Sequence, residues 1–124
     1  MNAFFPTNYE VPQKSGNYMK LQKGENRFRV LSSPIVGWEA WEDKKPLRFK
    51  MTEQHPDDAK HFWAMVVWNY NEEKIQVLNL TQSSIQKAIK GLVEDVDWGG
   101  PYGYDIVVKR TGDALETGYQ VTPK

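Results

Sequence analysis

The sequence predicts an all-β domain with one helix, folded as a strongly curved five-stranded barrel with the helix between strands 3 and 4. Residues 61–70 and 74–80 are extended runs separated by three polar residues, so they pair antiparallel as a hairpin. An amphipathic run follows at residues 81–93, and a second strand pair follows at 104–110 and 116–122. Together with a long interrupted first strand, this order is typical of a small barrel.

The chain has 124 residues, enough for one domain with a single core. Residues 1–16 hold prolines and asparagines with few apolar side chains, which predicts a loose arm ahead of a folded domain at residues 17–124. The lack of cysteine excludes disulfides, thiolate zinc sites and cysteine nucleophiles. Because the sequence has neither a membrane-length apolar run nor a signal peptide, we expect a soluble, cytoplasmic protein.

The long first strand is predicted at residues 18–31, with a break at 22–25, and continues at residues 35–41 beyond a bend at Pro34. Residues 42–46 are polar and are predicted to form a loop.

Alternation along this first strand places Arg27, Arg29 and Leu31 on one face. Gly24 and Gly37 lie where a strand of this length has to bend around a barrel.

A short strand is predicted at residues 47–51, which alternate cleanly and carry Arg48 and Lys50 on the solvent face. A second loop is predicted at residues 52–60.

The helix is predicted from apolar side chains that recur on one helical face, namely Ile85, Ala88, Ile89, Leu92 and Val93. Thr81 is the expected N-cap, and Ser83 with Gln86 offers an alternative capping box. A helix with a single apolar face can plug one end of a barrel, as in the oligonucleotide/oligosaccharide-binding (OB) fold. The alternative architecture is an open antiparallel sheet with one packed helix.

The strand at residues 61–70 is apolar on both faces, so its alternation alone cannot orient it. We expect the core-facing side chains to be Phe62, Ala64, Val66 and Trp68. This orientation leaves Trp63 on the outside.

Charge and aromatic content suggest the kind of ligand. The formal net charge is zero, but basic residues outnumber acidic ones in the first fifty residues, so part of the surface is expected to be cationic. Five Trp, six Tyr and five Phe are too many for a small core to bury, so some rings are expected at the surface.

These features predict a groove for single-stranded DNA, in which cations follow the phosphates and exposed rings stack on unpaired bases. The side chains expected to contact phosphates are Arg27, Arg29, Arg48, Lys50 and Lys109. Those expected to stack on bases are Trp38, Trp41, Trp63 and Tyr70. Neither kind of contact reads sequence, so binding is expected to be largely sequence-independent.

Two other motifs are weaker indications of function. His55 and His61 flank Asp57 and Asp58, but their spacing matches no usual metal site. The glycine-rich residues 99–103 lack the lysine and the strand-to-helix setting of a phosphate-binding loop. We therefore expect no metal, no cofactor and no catalytic residues, and we do not interpret the chain as an enzyme.

Several stretches resemble bacteriophage single-stranded DNA-binding proteins, namely residues 18–31, 37–38, 74–85, 104–106 and 116–123. The resemblance implies an OB fold that coats unwound DNA during phage replication, recombination or repair, in the cytoplasm of an infected bacterium. It also implies replication or recombination proteins as partners. Such proteins often carry an acidic tail that recruits partner enzymes, whereas residues 121–124 are not acidic.

Two alternative functions use the same surface. An OB domain with exposed rings could bind another protein without binding nucleic acid, or its tryptophans could stack on a carbohydrate. The first alternative predicts stable self-association or a partner without salt-sensitive nucleic-acid binding, and the second predicts that removing Arg48 and Lys50 leaves affinity unchanged.

Overall fold

The computed structural model describes Phe4 and residues 17–112 and 116–124, so the predicted arm at residues 1–16 lies outside the described residues apart from Phe4. The described strands are β1 (Gly24–Val30), β2 (Ile35–Glu42), β3 (Lys45–Lys50), β4 (Lys60–Asn69), β5 (Lys74–Leu80), β6 (Ile106–Thr111) and β7 (Gly118–Pro123). One helix, α1 (Ser83–Glu94), lies between β5 and β6 in the chain. No helix within this described part is long and apolar enough to cross a membrane.

The described strands form one antiparallel sheet in the order β3-β2-β4-β1-β6-β7, with β5 paired to β4. β1 and β2 lie end to end along one side of β4, and β5 runs along the other side. An all-β fold with one helix is therefore confirmed, although the described sheet contains seven strands where five were predicted. β4 is the central strand of this sheet.

Ser32 bridges the break between β1 and β2. The Val66 N–H donates to Ser32 Oγ at 2.9 Å, and the Leu31 N–H donates to the Val66 carbonyl oxygen at 2.8 Å. A side-chain hydroxyl therefore replaces a backbone acceptor while the chain bends. The chain therefore bends between β1 and β2, next to Pro34, as the sequence predicted. Gly24, the other predicted bend, is the first residue of β1 and has a positive φ of 96°.

The predicted loop at residues 42–46 is instead a tight hairpin between β2 and β3. Asp43 and Lys44 connect the strands with positive φ angles of 50° and 64°. Two successive residues with positive φ form the kind of hairpin turn that Asn-Gly or Asp-Gly usually forms, and Lys44 in place of glycine hides this turn in the sequence. Gly37 lets β3 come close, because a Cβ there would lie 2.3 Å from the Phe49 carbonyl oxygen.

The core lies between one face of the sheet and α1. Its buried side chains include Phe28, Val30, Met65, Val67, Leu78, Leu80, Ile85, Ile89, Ile106 and Val108. Full burial of one such side chain contributes about 1.5–3 kcal/mol. The helix contributes the predicted face, although Val93 at its far end is 40% exposed.

The predicted orientation of β4 is wrong. Met65 and Val67 belong to the core, and Trp63 packs against it. The opposite face, which points away from the core, carries Phe62, Ala64, Val66 and Trp68. Phe62 and Ala64 are buried although they lie on this second face. Both faces of β4 therefore carry apolar residues, and the alternation of the sequence could not distinguish them.

The helix begins one residue later than predicted. Its N-cap is Gln82 instead of Thr81, and its cap makes no side-chain hydrogen bond. Gln86, expected in a capping box, is buried and donates to the carbonyl oxygens of His61 at 3.1 Å and Leu80 at 2.9 Å. This amide therefore ties α1 to β4 and β5 instead of capping the helix.

Candidate nucleic-acid interface

The sheet face opposite the core, which we call the outer face, collects most of the predicted site residues. Strand register places seven of the nine there: Arg27, Arg29, Trp41, Arg48, Lys50, Tyr70 and Lys109. Trp68, which the sequence analysis assigned to the core, also lies on this face, directly opposite Arg29.

Trp38 and Trp63 do not lie on the outer face. The Trp38 ring stacks on His55, with centroids 4.3 Å apart and planes inclined by 11°. The Trp63 Nε1–H donates to His61 Nε2 at 3.3 Å, and His61 Nδ1 lies 2.8 Å from the Gly37 carbonyl oxygen. Both ring nitrogens of His61 therefore have partners, one on β4 and one on the backbone of β2. Both indoles are committed to internal contacts.

The first of two arginine groups on the outer face, the Asp105 cluster, comprises Arg27, Arg29, Tyr70 and Asp105. The Asp105 carboxylate is 2% exposed. It accepts from Arg27 Nη2 at 2.6 Å, from Arg29 Nε at 2.5 Å and from the Tyr70 hydroxyl at 3.1 Å. Burial acts to raise the pKa of Asp105, but the hydrogen bonds from Arg29, Arg27 and Tyr70 outweigh it and hold that pKa below its usual value.

Aromatic rings continue the Asp105 cluster across β4. The Arg27 guanidinium lies over the Tyr70 ring, 5.2 Å from its centroid. The Tyr70 ring meets Trp68 edge-on, with centroids 6.5 Å apart. Tyr70 is exposed and Trp68 is half-buried. The cluster therefore offers guanidinium groups and ring surfaces side by side.

The second group, the Arg48 cluster, comprises Glu39, Arg48 and Phe62. Arg48 Nε lies 3.2 Å from Glu39 Oε1, and the Arg48 guanidinium lies 4.6 Å from the centroid of the Phe62 ring. The Glu39 side chain is 8% exposed and the Arg48 side chain is 45% exposed. Asn79 Nδ2 lies 3.4 Å from the other oxygen of Glu39. This cluster thus also joins a buried carboxylate, an arginine and a ring.

An apolar trough separates the two clusters. Its floor and walls include Ile35, Ala64, Val66, Ile75 and Val77. Two depressions, of about 530 and 260 Å³, share Tyr18, Val66 and Val77 as lining residues.

Tyr18 stands over this trough and is 50% exposed. Its position is fixed because the next residue, Met19, is buried in the core and its N–H donates to the Val77 carbonyl oxygen at 2.9 Å. Sequence reasoning missed Tyr18 because a lone tyrosine beside the predicted arm carries no pattern of its own.

The other predicted site residues lie on the outer face without joining either cluster. Trp41 is 68% exposed on β2, opposite Pro46 of β3. Lys50 faces Gly37, and Lys109 is exposed on β6. These side chains extend the cationic and aromatic surface beyond the two clusters.

Among residues 17–112 and 116–124 and Phe4, no three His, Asp or Glu side chains are grouped closely enough to hold a metal ion. Comparison with models of protein families, with curated proteins and with solved structures finds no match for this chain. The outer face is therefore interpreted from its own geometry.

Proposed function

We propose that this protein is a non-catalytic single-stranded DNA-binding protein that binds along its outer face, largely independently of DNA sequence. The observation that carries this proposal is the alignment of Arg27 and Arg29 with Tyr70 and Trp68 on one open sheet face. Guanidinium groups suit phosphate, and exposed rings suit unpaired bases. Duplex DNA hides its base faces, so it is expected to bind weakly.

The proposed fold is the OB barrel. If β1 and β2 are two halves of one long strand and β3 is an added hairpin arm, five strands remain, with α1 between the third and the fourth. The pairings of β1 with β4 and β6, of β4 with β5, and of β6 with β7 support this interpretation. The resemblance to phage proteins supports a role in replication, recombination or repair, in the cytoplasm of an infected bacterium.

We expect base stacking to contribute more to the binding free energy than ionic contacts with phosphates. Each stacked base is worth about 1–3 kcal/mol, whereas Asp105 and Glu39 already neutralise part of the arginine charge. Each phosphate contact adds about −0.7 to the salt slope for single strands, so five cations give a slope no steeper than about −3.5.

The test is a titration of labelled dT16 by fluorescence anisotropy at several KCl concentrations, with a duplex of equal length for comparison. Trp68→Ala should weaken dT16 binding by about 5- to 150-fold because a stacking surface is lost. Trp98→Ala is the matched control, since Trp98 packs on Tyr104 of the core side. A dT16 titration with no salt-dependent binding would contradict the proposal.

A protein partner is the second candidate, and exposed isoleucines on the outer face favour it. Ile35 is 67% exposed and Ile75 is 60% exposed. Large aliphatic groups gain more from burial against another protein than from contact with phosphates. Sedimentation velocity with and without dT16 separates the two candidates, because this one predicts association that persists at high salt without DNA.

A further inference from the structure

We propose that the outer face contains two separate phosphate-binding subsites, the Asp105 cluster and the Arg48 cluster, and that a bound strand reaches both only by crossing the apolar trough. This inference rests on the proposed function. It adds the course of the bound strand and a minimum length for full binding.

The two clusters share one construction. In each, a buried carboxylate accepts from the Nε of an arginine, Arg29 in one and Arg48 in the other. Each also holds a guanidinium over a ring, Arg27 over Tyr70 at 5.2 Å and Arg48 over Phe62 at 4.6 Å. A guanidinium has five N–H donors, so a bond through Nε leaves the terminal nitrogens of Arg29 and Arg48 to meet a phosphate.

The spacing of the clusters is set by β4, which carries a ring of each. Phe62 and Tyr70 are eight residues apart on the same face of the chain, which corresponds to about 26 Å along a strand. Stacked nucleotides rise about 3.4 Å each, so a stacked strand needs about eight of them and an extended strand needs fewer. This span lies within the range of about 4–16 nucleotides that OB folds cover.

The trough between the clusters suits bases better than phosphates. Val66 and Val77 line both of its depressions, and Tyr18 stands over them with half of its surface exposed. Nucleotides that cross the trough are therefore expected to add apolar and stacking contacts with little ionic contribution. The salt slope should rise when a cluster is reached, instead of rising with every nucleotide.

The wild-type protein provides the first test, with unlabelled oligo-dT of 3 to 16 nucleotides competing against labelled dT16 over a range of KCl. We expect a constant, shallow salt slope for the shortest strands and a single increase between about five and eight nucleotides, with at least a tenfold gain in affinity. An even increase with each nucleotide would overturn the two-subsite inference and leave the proposed function intact. Absence of binding at every length would overturn the proposed function itself.

A paired substitution locates the second subsite. Glu39→Gln combined with Arg48→Gln removes the Arg48 cluster without leaving a buried carboxylate unpaired. The variant should bind the shortest strands within twofold of wild type and should lose the increase at longer lengths. Lys87→Gln, exposed on α1, is the control and should keep that increase.

Either retention of the length step in the double variant or equal weakening at all lengths would overturn the inference. Circular dichroism melting checks that the variant is folded. If it is not, the wild-type length series alone decides.

Discussion

The Asp105 and Arg48 clusters have similar parts but different supports. Asp105 accepts from three side chains, and its backbone N–H and carbonyl oxygen both pair with Lys124, at 3.2 and 2.8 Å. Glu39 accepts from Arg48 of β3, the strand at one end of the described sheet order, and from Asn79 of β5 at a longer distance of 3.4 Å. The first cluster therefore has two arginines from β1 and a tyrosine on one carboxylate, whereas the single arginine of the second cluster comes from the β2–β3 hairpin.

This difference predicts that the two clusters contribute unequally to the stability of the fold. A buried carboxylate with three donors stabilises the fold as well as placing its arginines, so its removal should be costly. Glu39 should contribute less, because it pairs with one arginine whereas Asp105 pairs with two arginines and a tyrosine. Substitutions in the two clusters should consequently have unequal effects on the free energy of unfolding.

The largest effect is expected from Asp105→Asn, which should lower the free energy of unfolding by about 2–3 kcal/mol in urea denaturation. The amide nitrogen would face arginine donors, and the charged acceptor would be lost. Asp58→Asn, in an exposed loop, is the control and should change stability by less than about 0.5 kcal/mol.

The pH dependence of the difference in free energy of unfolding between wild type and Asp105→Asn shows whether the carboxylate charge is its cause. Because folding lowers the pKa of Asp105, its carboxylate stabilises the fold above the unfolded value of about 3.9, and this stabilisation is lost as pH falls through the folded pKa. The difference in free energy of unfolding between wild type and Asp105→Asn should therefore become smaller as the pH falls below about 4. A gap that stays constant down to pH 2 would show that the charge is not responsible.

A smaller loss of stability is expected from Gly37→Ala, because the added methyl group would clash with β3. The new Cβ would meet the Phe49 carbonyl oxygen at 2.3 Å, so β3 has to shift and the free energy of unfolding should fall by about 1–2 kcal/mol. Gly91→Ala on α1 has open space and should instead raise stability by up to about 1 kcal/mol. Equal signs for the two substitutions would be inconsistent with this packing.

The smallest effect is expected from Glu39→Gln, at less than about 1 kcal/mol, because the amide oxygen can still accept from the partly exposed Arg48. Urea denaturation beside Asp105→Asn gives the direct comparison. A loss as large as that of Asp105→Asn would show that the two clusters are supported equally.

The sequence predicted the elements whose local patterns are strong. The β4–β5 hairpin, the helix and the final strand pair have clear periodicity, and the alternation of Arg27 and Arg29 placed both on the correct common face. The hairpin turn at Asp43 and Lys44 was missed because Lys44 occupies the position where such turns usually have glycine.

The candidate site was less predictable because it depends on pairing across the sheet. Trp63 and Trp68 look equivalent in a strand that is apolar on both faces, and only register separates them. Asp105 gave no signal, since its role depends on β1 lying beside β6. A single aspartate after a glycine-rich segment is indistinguishable from a solvated one in sequence.

The composition of β3 has a consequence for handling the protein. This terminal strand carries Lys45, Pro46, Arg48 and Lys50, and proline and cations discourage a sheet edge from pairing with another molecule. Substitutions that remove these cations also remove a safeguard against aggregation. Such variants should be purified dilute and checked by light scattering before any loss of activity is assigned to them.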